Sequence, residues 1–138
     1  MWWTYALLSA LFASLTAIFA KQGVENMNSN LATAIRTAII LIMISVIVLL
    51  RGETKEIGSL SKQNLFFLTI SAIATGLSWL FYFKAIQIGN VSQVAPVDKL
   101  SVALTIILSV IFLGEHLSLK IALGAVFIIA GTLVIVWK

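Results

Sequence analysis

Five apolar runs of about 20 residues each, parted by short polar stretches, constrain this chain more than any other feature. They cover roughly Trp2 to Ala20, Leu31 to Leu50, Leu65 to Phe83, Val91 to Leu113 and Leu119 to Trp137. A helix rises about 1.5 Å per residue, so a run of this length crosses a hydrocarbon layer of about 30 Å. The composition agrees. Of 138 residues, 61% are hydrophobic and 10% charged. A soluble domain would lack the polar surface to cover such a core. The runs show no sustained alternation of the kind a membrane barrel needs. The expected fold class is therefore all-α and integral to the membrane, with the lipid bilayer as its first partner. The expected organisation is a single transmembrane domain over residues 1–138. Five spans leave too few residues for a soluble domain besides.

The same composition narrows the chemistry. The chain has no cysteine and one histidine, His116. A disulfide framework is excluded, and a zinc site would need carboxylates to complete it. No metal site and no cofactor is expected. The net charge of +4 is spread along the chain, without a basic tract, so nucleic acid is not an expected partner. The start, Met1-Trp2-Trp3-Thr4-Tyr5, has no basic segment, which favours a retained first span over a cleaved signal peptide. Trp2, Trp3 and Tyr5 suit an interfacial aromatic belt.

Between the spans, Lys21 to Asn30 reads as a polar loop, and Arg51 to Asn64 as the longest loop. Lys84 to Asn90 holds a Gly89-Asn90 turn signal. Gly114 to Ser118 is a short connection in which Ser118 is a candidate N-cap. An odd number of spans puts the termini on opposite sides. The side of the N-terminus then carries Arg51, Lys55, Lys62 and Lys120; the other carries Lys21, Lys84 and Lys138. Orientation follows a Lys/Arg excess. Four against three is hardly one, so insertion in both orientations stands beside insertion with the N-terminus inside.

Polar residues fall on helical stripes. Asp98, Ser101, Thr105 and Ser109 share a face of span 4. Ser71, Thr75, Ser78, Trp79 and Tyr82 share one of span 3. Thr33, Arg36 and Thr37 share one of span 2, and Ser9, Ala13, Thr16 and Ala20 form a small stripe on span 1. Small polar stripes are also ordinary packing faces. Arg36 and Asp98 differ, because an ionisable group at membrane depth is a functional-site candidate by default. Asp98 with Arg36 is a candidate cross-helix pair. Lys99 lies about 100° from Asp98 round an ideal helix, so the two are not expected to face each other. Pro96 either breaks span 4, freeing backbone groups to line a site, or sits harmlessly near its first turn. Gly124 and Gly131 share a face of span 5 and read as a packing seam, within the chain or between chains.

At this point a family resemblance emerges. Ala85-Ile86-Gln87-Ile88-Gly89-Asn90-Val91-Ser92-Gln93-Val94-Ala95-Pro96 resembles the start of the fourth helix in EamA domains of the drug/metabolite transporter superfamily. Gly114-Glu115-His116-Leu117 is similar to the Gly-Glu turn that follows it. Gly124, Ile128, Ile129 and Gly131-Thr132 resemble the last helix. Trp3, Phe19-Ala20-Lys21 and Arg36 fit as well. The resemblance implies a secondary transporter of small metabolites or drugs, acting outward, in the inner membrane of a prokaryote. Most members carry two inverted five-helix repeats. A chain with one repeat would be completed by a second copy, and near-even flanking charges suit an antiparallel, dual-topology homodimer. On that reading the substrate path is lined by Arg36, Thr75, Trp79, Tyr82, Gln93, Asp98 and Ser101. Related small multidrug exporters couple protons through a carboxylate in the first helix. Trp2 to Ala20 has none, which leaves Asp98 as the proton-coupling candidate. The competing reading is a non-transporting subunit that stabilises a partner. An enzyme is not expected, because Glu115 and His116 adjoin in a turn with no third catalytic group in view.

Overall fold

The computed structural model describes residues 1–137, and among these it is helical, with no strand. Lys138, counted above as a flanking charge, lies outside the described residues. Helix α1 runs Trp2–Val24, α2 Ser29–Leu50, α3 Lys62–Ile88, α4 Val91–Asp98, α5 Leu100–Leu113 and α6 Leu119–Val136. A 3-10 helix, Glu53–Ser59, stands between α2 and α3. Taking α4 and α5 as one span of 23 residues, five segments are long and apolar enough to cross a membrane.

The spans stand where hydropathy places them, but several ends differ. The stretch from Lys21, read as loop, stays helical to Val24, and α2 begins two residues early at Ser29. Helix α3 runs three residues upstream and five downstream of the expected span, leaving only Gly89-Asn90 as the turn. Charged residues end the preference for lipid, but Lys and Gln are good helix formers. The start of α2 is set by a cap rather than by hydropathy: the Asn28 side chain accepts through Oδ1 from the N–H of Asn30 at 2.8 Å and of Leu31 at 3.3 Å. Ser118 caps α6 as expected, its hydroxyl accepting from the Ile121 N–H at 3.3 Å. The long loop after α2 is also ordered locally. Gly52 turns the chain at φ +69°, a conformation costing other residues about 1–2 kcal/mol, and Arg51 Nε meets Glu53 Oε1 at 2.7 Å.

The chain forms two compact units, Met1–Gln87 and the residues from Ile88 onward. In the first, the buried residues are Ala17, Val24, Ser29, Ala32, Thr33, Phe83 and Ile86. In the second they are Ala103 and Thr132. Six of these nine are Ala, Ser or Thr, the residues that let helices approach closely where lipid offers no hydrophobic drive. Large aliphatic and aromatic side chains are exposed along the spans, as a lipid solvent requires.

In the second unit, Pro96 lies inside α4, so the carbonyl of Ser92 has no i+4 N–H to accept from. The helix lapses at Lys99, whose N–H donates to Pro96 O at 3.0 Å in a tighter turn. The buried Thr132 hydroxyl of α6 lies 3.3 Å from the same Pro96 carbonyl and 2.8 Å from Ile128 O. A β-carbon added at Gly124 or Gly131 would meet no atom within 4 Å. That face of α6 is open at both glycines.

Candidate functional site

The first unit carries an open-sided cavity of about 600 Å³, the volume of a site for a small organic molecule. Phe12, Leu15, Thr16, Phe19 and Gly23 of α1 recur at helical spacing on its wall. Ala32, Ile35, Arg36, Ile39 and Ile40 of α2 do the same, and Phe83 of α3 completes the lining. Arg36 is its single ionisable group and Thr16 its single hydroxyl. All else is apolar or glycine.

Arg36 stands seven residues into α2, about 10 Å along its axis. Its guanidinium carbon lies 4.4 Å from the centroid of the Trp79 ring and 5.3 Å from that of Phe83. Such cation–π contacts are worth about 2 kcal/mol or more where water is excluded. The rings offer no oxygen or nitrogen acceptor to its five N–H donors. Within the first unit no carboxylate comes within 4 Å of Arg36, and no side-chain or backbone oxygen of that unit accepts from it. A cation is thus held at membrane depth against two aromatic rings, with no hydrogen-bond acceptor from its own unit.

The end of this unit is fastened by two side chains working in opposite directions. Lys21 Nζ of α1 donates to the carbonyls of Ile86 at 2.7 Å and Gln87 at 3.3 Å, at the last turn of α3. A cation is well placed at a helix C-terminus. Gln87 Nε2 of α3 donates to Val24 O at 3.0 Å and Met27 O at 2.8 Å, where α1 ends. Its Oε1 accepts from Lys84 Nζ at 3.1 Å. Val24 and Met27 line the cavity, so this fastening shapes one end of it.

The expected path residues separate accordingly. Arg36 and Trp79 are brought together, and Tyr82 lies within electrostatic reach of Arg36. Thr75 is exposed and donates to Ser71 O at 2.8 Å, within its own helix. Gln93, Asp98 and Ser101 belong to the second unit, where Gln93 and Ser101 are exposed and Asp98 is half-buried. Asp98 does meet Lys99, Oδ2 to Nζ 3.4 Å, contrary to the expectation from an ideal helix. The break at Lys99 and the length of its side chain bring them together. The cavity aromatics Phe12, Phe19 and Phe83 and the fastening pair Lys21 and Gln87 were not anticipated. The phenylalanines do recur at helical spacing, but in uniformly apolar runs that spacing has no polar contrast to reveal it.

These features define a class: a multi-pass helical membrane protein with a solute-sized cavity among its first three helices. Residues 1–137 match the EamA-like transporter family, and the chain belongs to it. Membership places it among membrane transporters. An uncharacterized transporter of a Sinorhizobium species, from the region 3′ of cobO, is 48% identical over 97% of this chain and 95% of its own. An uncharacterized protein of Methanocaldococcus jannaschii is 32% identical over 94% of this chain and 91% of its own. An uncharacterized transporter of Clostridium kluyveri is 22% identical over 94% of this chain but only 42% of its own length. No solved structure matches.

Proposed function

We propose that this protein is a secondary transporter that exports small metabolites or drugs across the inner membrane of a prokaryote, acting as an antiparallel homodimer with alternating access. The observation that carries the reading is the apolar cavity with Arg36 held at its wall by Trp79 and Phe83. An ionisable side chain at this depth is costly, and residues of this kind mark solute and ion pathways. The dimer draws its support from three facts. The span count is odd. The flanking Lys/Arg count is near-even. The Clostridium relative is more than twice as long, with room for a second repeat. In a homodimer the face of α6 around Gly124 and Gly131 is open to the second copy.

Because the chain has no cysteine, a single introduced thiol reports sidedness without background. Ser59→Cys, in the exposed 3-10 helix, is expected to react with an impermeant maleimide from both faces of the membrane in comparable amounts. Reaction from one face alone would end the antiparallel homodimer and call for a separately encoded partner. Asp98 is the residue we assign to proton coupling. Asp98→Asn is expected to abolish uphill, proton-driven flux while leaving counterflow near the parent rate. Proton-driven flux at the parent rate would remove Asp98 from that role.

A further inference from the structure

We infer that the cavity between α1, α2 and α3 takes a monoanionic organic acid: one carboxylate on the donor edge of Arg36, an aromatic or aliphatic body against Phe12, Phe19 and Ile39. This rests on reading the cavity as the substrate path. The charge of the wall sets the charge of the ligand. Arg36 is its single cation and it has no acidic lining residue. A carboxylate matches the fork of a guanidinium with two parallel hydrogen bonds. A cationic drug would meet a like charge in a low-dielectric space. A zwitterionic amino acid would satisfy Arg36 with its carboxylate, but its ammonium would find no carboxylate on the wall. A dianion such as a phosphate monoester would bring one negative charge more than the cavity can balance. Trp79 and Phe83, 4.4 and 5.3 Å from the guanidinium carbon, hold the group in place for the ligand without supplying an acceptor of their own. Selection thus comes from what the wall lacks as much as from Arg36.

Five compounds with one common body test this on the full chain in nanodiscs, by thermal stabilisation: phenylacetate, phenylacetamide, phenethylamine, phenylalanine and phenyl phosphate. Phenylacetate is expected to stabilise with an apparent affinity about tenfold or more above each of the others, one such step being the size of a single well-made polar contact. Arg36→Gln is expected to erase the gap between phenylacetate and phenylacetamide, and Arg36→Lys to keep part of it. Equal or better binding of phenethylamine or phenylalanine would overturn the inference, as would no binding of phenylacetate. An anionic lipid headgroup offers the same chemistry to Arg36. If phosphatidylglycerol discs stabilise the protein over phosphatidylcholine discs and cancel the phenylacetate effect, the site is a lipid site and the inference falls. Failure of the transport reading looks different. Phenylacetate binding with the expected selectivity but no counterflow would leave the ligand class standing and end the transporter. Flux of phenethylamine or phenylalanine that phenylacetate does not inhibit would do the reverse.

Discussion

Replacing Arg36 by glutamine is expected to weaken carboxylate binding and carboxylate counterflow together, by about 100-fold in apparent affinity. A hydrogen bond to a charged group contributes about 1.5–3 kcal/mol net, and a guanidinium offers two in parallel. Glutamine can supply one, and that one neutral. The loss is about 3 kcal/mol, two factors of ten. Arg36→Lys keeps the charge but loses the fork and the broad stacking on Trp79, so it falls between parent and Arg36→Gln. The stability of the empty protein should move little in Arg36→Gln, because two terms oppose. The contacts with Trp79 and Phe83 are lost, at about 2 kcal/mol. A cation without a counter-ion at membrane depth is relieved at the same time. Ligand-dependent and ligand-free melting measured on one preparation separate them. Parent-like stabilisation by phenylacetate in Arg36→Gln would remove Arg36 from the site.

The second large effect lies in the fastening of α1 to α3 and is on stability. Gln87→Leu keeps the size of the side chain but leaves Val24 O and Met27 O without their donor. Lys21→Met does the same to the Ile86 and Gln87 carbonyls. An acceptor left without its donor costs about 1–3 kcal/mol where it is buried and less where water reaches it, and these carbonyls are part-buried, that of Met27 exposed. Each variant is expected to lose about 1–3 kcal/mol, read as a lower melting temperature in nanodiscs. The double variant should lose less than the sum, since the Gln87 carbonyl is an acceptor for Lys21 and its amide a donor to α1. The preference for phenylacetate over its amide should survive in both, because neither residue meets the ligand. Melting unchanged in both variants would show that these bonds do not hold the helix ends.

The sequence carries the five spans and loses their ends. Hydropathy reports the lipid boundary. The helix continues past it, to Val24 in α1 and to the Gly89-Asn90 turn in α3. The 3-10 helix after Gly52 has no apolar periodicity, so the stretch reads as loop. Arg36, Trp79 and Tyr82 stand out because polar and indole groups are conspicuous in apolar runs. That Arg36 lies over Trp79 is a tertiary fact. Lys21 and Gln87 escape notice because their partners are backbone carbonyls, and every residue has one. The two glycines of α6 share a visible spacing, but only coordinates tell that no side chain of their own unit fills it.

The most direct test is counterflow by the purified chain alone in proteoliposomes loaded with unlabelled phenylacetate. The account predicts saturable uptake of labelled phenylacetate, lost in Arg36→Gln and present in Asp98→Asn. Vesicles containing protein that binds phenylacetate yet takes up label no faster than empty vesicles would contradict it, and would favour a subunit that stabilises a partner without carrying solute itself.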